Sequence, residues 1–94
     1  MNDRLKKQKL LEYIEYLNKF NDDVKIEIPT VSGLTPYIIN KSEKYATLRY
    51  DSEMGFNIGT SGTWINSEQA KEYSEKLLRL SKIADTLNKL YVPL

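Results

Sequence analysis

The chain has no histidine and no cysteine. These absences exclude disulfides, zinc fingers, iron–sulfur clusters, thiol nucleophiles and every general base built on imidazole. Any catalysis would have to run on Asp, Glu, Ser, Thr, Tyr and Lys alone, and no catalytic motif occurs. Glycine and proline are sparse, at 4 and 3 of 94 residues, so there is little room for low-complexity tracts or long linkers. No apolar run approaches the ~18 residues of a membrane span. The Lys-rich start lacks the apolar core of a signal peptide, so the expected location is the cytoplasm. Charge of one sign is missing as well. Fourteen basic residues stand against 13 acidic ones, for a net charge of +1. That is neither a strongly basic nucleic-acid domain nor an acidic mimic, and near-neutrality favours association with protein.

The length and the 40% apolar and 29% charged fractions describe one ordinary globular domain, 1–94. The clearest signal is a long helix opened by Asn66 as cap. Gln69 stands three residues on as the partner of a capping box, and Ile65 and Ala70 are placed for a hydrophobic staple. Ala70, Tyr73, Leu77, Leu80, Ala84 and Leu87 then form one apolar stripe, with Lys89 in the last turn and Pro93 beyond. A first helix spans Asn2–Phe20, with Leu10, Ile14, Leu17 and Phe20 on the helical period and a cap at Asn2 or Asp3. Its opening turns carry Arg4, Lys6, Lys7 and Lys9, which read as a solvated face or as a contact for phosphate or an acidic surface.

Four short strands lie between the helices: Val24–Ile28, Tyr37–Ile39, Tyr45–Tyr50 and Phe56–Thr60. The first alternates β-branched and charged residues, so one face is solvated. Asp51–Gly55 is a hairpin loop whose glycine takes positive φ. Asn40–Lys44 is read as a second hairpin turn. The order α-β-β-β-β-α with short connections predicts an α+β two-layer sandwich, an antiparallel four-stranded meander packed on two helices. Its open face would carry Lys25, Glu27, Thr47 and Arg49.

Several residues invite a functional reading. Gly59, Thr60, Ser61, Gly62 and Thr63 precede the long helix and read first as an ordinary connection, alternatively as a cradle for a phosphate or nucleotide. Trp64 is the only tryptophan and reads first as a core anchor, alternatively as an interface hot spot. Tyr45 is placed on the open face beside Arg49, where the two form cross-strand pairs or else contact bases or a partner. Glu68, Glu72 and Glu75 read as a solvated helix face among lysines and an arginine. No cofactor or metal site is expected. The off-stripe residues Ile83, Leu90 and Tyr91 predict a subunit contact in a two-fold homodimer.

No family is identified from these residues. The pattern Trp64-x-Asn66-Ser67-Glu68-Gln69-Ala70 opening a long helix resembles short proteins of phages and other mobile elements. The Lys-, Tyr- and Asn-rich usage suits a low-GC bacterial or phage source. The function expected is a non-enzymatic binding protein acting through protein contact, such as an accessory protein that inhibits a host defence complex. The alternative is a nucleotide or single-stranded nucleic-acid binder using Gly59–Thr63 and the basic first turn.

Overall fold

The computed structural model describes residues 2–93. The elements run α1 (Asp3–Phe20), β1 (Val24–Glu27), β2 (Tyr37–Asn40), β3 (Ala46–Asp51), β4 (Gly55–Thr60) and α2 (Ser67–Leu90). This is the expected α+β order. Both caps form as the sequence implies. The Asn2 side chain accepts from the Leu5 N–H, and Asn66 and Gln69 close a reciprocal capping box.

Each strand turns one face to the helices. Val24 and Ile26, Ala46 and Leu48, and Phe56 are buried against Leu10, Ile14 and Leu17 of α1 and Leu80, Ile83, Ala84 and Leu87 of α2. The buried side of α2 keeps Leu80, Ala84 and Leu87 of the expected stripe and is wider than it. Ile83 lies inside, while Leu77 is only half-buried. No described helix is long and apolar enough to cross a membrane.

The sheet differs from the expected meander. β1 pairs with β2 and β3 with β4, both antiparallel, giving two separate two-stranded ladders. The physical reason lies in Asn40. On an antiparallel strand the N–H and C=O of one residue point to the same side. Those of Leu48 point away from β4, toward β2. There the Asn40 side chain takes the place of a backbone partner: its Oδ1 accepts from the Leu48 N–H at 2.8 Å and its Nδ2 donates to the Leu48 C=O at 2.9 Å.

The same device closes both outer edges. Asn18 of α1 exchanges two hydrogen bonds with the backbone of Ile26, at 3.0 and 3.1 Å. Asn88 of α2 does so with Phe56, at 2.8 and 2.9 Å. Three asparagine amides thus stand where three strand partners would, and two of them blunt the edges of the hairpins. Gly55 is fixed by this arrangement. Its φ is +73°, and an added Cβ would lie 2.7 Å from the Asn88 Oδ1.

Asn40→Ala strips both partners from Leu48 at a half-buried seam. The expected cost is about 1–3 kcal/mol, the scale for unpaired polar groups. It reads out as a lower urea midpoint with an unchanged slope.

Tyr45 supplies the other break in the meander. Its φ is +70°, in the left-handed region that bulky L-residues seldom adopt. The Ala46 N–H returns to the Lys44 C=O at 2.9 Å, closing a three-residue turn across Tyr45. β3 therefore starts at Ala46, and the chain between β2 and β3 does not form a hairpin turn.

Candidate functional site

The face of the strands away from the helices is open. On β1 it carries Lys25 and Glu27, both exposed, as the alternation predicts. On β2 it carries Tyr37 and Ile39, 61% and 40% exposed. Tyr37 lies opposite Glu27 and Ile39 opposite Lys25 in the register. In the loop leading into β2, Val31 and Leu34 are 60% and 61% exposed. Arg49 of β3 lies across from Asn57 of β4 and donates from Nε to the Asn57 Oδ1 at 2.7 Å. Its second terminal nitrogen donates to the Asp51 Oδ2 at 3.4 Å.

Asp51 anchors this corner. Its Oδ1 accepts the N–H groups of Met54 and Glu53, and its Oδ2 also accepts from Asn57. The Met54 N–H foremost, with help from Asn57, Glu53 and the Arg49 charge, holds its carboxyl below the usual carboxylate range. The guanidinium of Arg49 is thus oriented by two side chains at the mouth of a cleft of about 260 Å³ between β2 and β3, lined in part by Ile38, Asn40 and Tyr50.

The residues singled out in the sequence do not converge on one site. Tyr45 is not on the open face beside Arg49. It is 8% exposed, packs edge-on to Tyr73 at 5.7 Å, and donates its hydroxyl to the Glu72 Oε2 at 2.9 Å. The left-handed turn is what swings it toward α2.

Gly59 and Thr60 end β4, and Thr60, Ser61, Gly62, Thr63 and Trp64 are exposed. The positive-φ residues are Tyr45, Gly33 and Gly55, so the segment lacks the left-handed step that makes converging N–H groups. A Cβ at Gly59 would meet the Thr47 Oγ1 at an ordinary 3.5 Å, and one at Gly62 would meet nothing within 4 Å. Neither glycine is held by close approach, and the cradle is not formed. Trp64 is the opposite of a core anchor: it is fully exposed, at 102% of its reference area.

Ile83, Leu90 and Tyr91 also change place. Ile83 is buried and Leu90 packs against the core. Tyr91 closes an edge-to-face cluster with Tyr50 and Phe56, at 5.4 and 5.6 Å between ring centroids. Burial, with a smaller contribution from Tyr50, pushes the Tyr91 phenol pKa up. Ile83 is part of the protomer's own core, and Leu90 and Tyr91 pack against it, partly buried.

Lys76 and Arg79, expected to pair with Glu72 and Glu75 along the outer side of the helix, take other partners. Lys76 is buried on α2 and donates from Nζ to the Ser42 C=O at 2.9 Å and the Lys44 C=O at 2.6 Å. Burial lowers its ammonium pKa, partly offset by Asp23. It fastens the strained turn from beneath. Arg79 forms a two-point pair with Asp23, at 2.8 and 3.2 Å, which raises the guanidinium pKa further. Glu72 takes the Tyr45 hydroxyl and lies 3.7 Å from Lys44. Among the described residues, no group of three or more acidic side chains is gathered as for a metal ion.

No protein-family model matches the chain, and no curated protein or solved structure matches it either.

Proposed function

We propose that this chain is a small non-enzymatic binding protein, acting in the cytoplasm, whose open sheet face seats on another protein. The observation that carries the reading is the placement of Tyr37 and Ile39 on the outer face of β2, beside an Arg49 held ready by Asn57 and Asp51. Tyrosine and arginine are the residue types that dominate binding energy at protein interfaces. A pre-oriented guanidinium loses less freedom on binding than a free one. Val31 and Leu34 add exposed apolar area in the loop leading into β2.

The absence of His and Cys supports a role by occupancy rather than by chemistry. The resemblance of the Trp64–Ala70 segment to short phage and mobile-element proteins supports a host defence complex as the partner, inhibited by being occupied.

Capture from a bacterial host lysate tests this when the chain is compared with a Tyr37→Ser, Ile39→Ser, Arg49→Glu triple variant. All three side chains are exposed, so the variant is expected to stay folded, with a small loss of thermal midpoint from the broken Arg49 bonds to Asn57 and Asp51, and to lose a discrete protein that the parent retains. Equal retention by both contradicts the reading. So does a preference for single-stranded nucleic acid that falls steeply with salt, the mark of phosphate binding.

A further inference from the structure

We infer that the chain also pairs with a second copy of itself along α2, each Trp64 entering a groove between α1 and α2 of its partner. The groove has a volume of about 550 Å³. Its walls include Tyr13, Tyr16 and Phe20 of α1; Lys82 of α2 lines it as well, as do Asp22 and the Arg79–Asp23 pair. Tyr16 and Phe20 are 57% and 70% exposed, with ring centroids 5.2 Å apart. Aromatic walls with the Lys82 ammonium beside them are complementary to an indole, through edge-to-face contact and cation–π attraction.

The same chain presents an indole with no neighbour of its own. Trp64 is fully exposed, and within one copy it cannot reach the groove. Lys82 lies 15 positions beyond Ser67, the first residue of the helix, roughly 22 Å along it at ~1.5 Å per residue. Only another molecule can bring the two together.

The exposed side of α2 supplies the register. Glu68, Lys71, Glu75, Leu78 and Lys82 follow one another at spacings of three and four, so they share a stripe along α2, and Trp64 lies three residues before the helix begins. All five are exposed, Leu78 by 58%. Among the described residues, none of the four charged ones lies in an ion pair within 4 Å. Two copies of α2 laid antiparallel, centred midway between Lys71 and Glu75, set Lys71 of each opposite Glu75 of the other. The same register sets Leu78 against the stem of Glu68 and brings the segment before each α2, which carries Trp64, to the Lys82 end of the partner's groove. Both Trp64 side chains are then seated by one self-complementary contact, the isologous arrangement of a two-fold dimer. The open sheet face lies on the other side of the molecule from the helices and stays free for its partner.

Light scattering across micromolar concentrations, with tryptophan emission read on the same samples, tests the pairing. The sole tryptophan makes the emission a direct report on Trp64. The expected result is a mass about twice 11.0 kDa with emission shifted to the blue. Lys71→Glu should return both to monomer values by facing Glu75 of the partner with a like charge. The exchange Lys71→Glu with Glu75→Lys should restore them. Trp64→Ala should weaken the dimer while leaving the thermal midpoint of the monomer unchanged. A mass near 11.0 kDa throughout overturns the inference. So does a doubled mass with solvent-exposed emission, or one indifferent to Lys71→Glu.

Discussion

Replacing Leu80 with aspartate is expected to leave the chain without a folded state under native conditions. Leu80 is fully buried and lies in the same cluster as Leu17, Ile26, Leu48 and Phe56. An aspartate there would place an unpaired carboxylate among these side chains or force the helix off the sheet. Either outcome costs more than ~3 kcal/mol, a large share of the ~5–15 kcal/mol that holds a small domain together. Leu77, one turn earlier on the same stripe, is only half-buried, so Leu77→Asp is expected to cost clearly less. Circular dichroism and thermal melting read both. A Leu80→Asp protein that melts where the parent does would show that α2 is not the element on which the strands are packed.

Phe56→Ala is expected to be the next most damaging change, at about 3–5 kcal/mol. The ring is 2% exposed and meets Tyr50 at 5.0 Å and Tyr91 at 5.6 Å, both edge to face. Its removal opens a cavity at the point where β4, β3 and the end of α2 converge. Its backbone is the segment clamped by Asn88, so local loosening would spread to the edge of the hairpin. Tyr91→Ala should destabilise through the same cluster, and by a similar amount at every protein concentration. A loss seen only at concentrations where the chain dimerises would return Tyr91 to a subunit contact. Denaturant midpoints at two concentrations separate the cases.

The helices were legible because their signals are local and repeated. Asn66 with Gln69, and Asn2 before the first turn, encode hydrogen bonds within a few residues, and the apolar spacing of each helix is read several times over. The hairpin at Asp51–Gly55 was legible for the same reason, since only glycine readily takes the φ of +73° found there.

The sheet was not legible in the same way. Asn40 looks like any turn residue, and an amide that replaces a distant backbone partner leaves no periodic trace. Asn18 and Asn88 are equally silent. Tyr45 read as a strand residue because tyrosine is a good strand former, and nothing nearby announces a left-handed tyrosine. It is held there by contacts far along the chain, from Lys76, Glu72 and Ser61.

The candidate site was half legible. Arg49, Lys25 and Glu27 were placed on the open face by alternation. Tyr37 and Ile39 were missed because Tyr37-Ile38-Ile39 is apolar throughout, and a run without alternation does not say which face is covered. The packing of Ile83, Leu90 and Tyr91 against the core was not legible because the buried face of α2 is wider than a single stripe. Trp64 was misread because large aromatic residues are usually packed, and exposure as complete as this comes from tertiary placement alone.

The protein-binding role of the open face is tested most directly by amide hydrogen exchange, with and without the protein captured from the lysate. The account predicts slowed exchange in β2, in β3 around Arg49 and in the loop carrying Val31 and Leu34, with α1 unchanged. Protection confined to α1 or to the Gly59–Trp64 segment, with β2 and β3 unaffected, would contradict it.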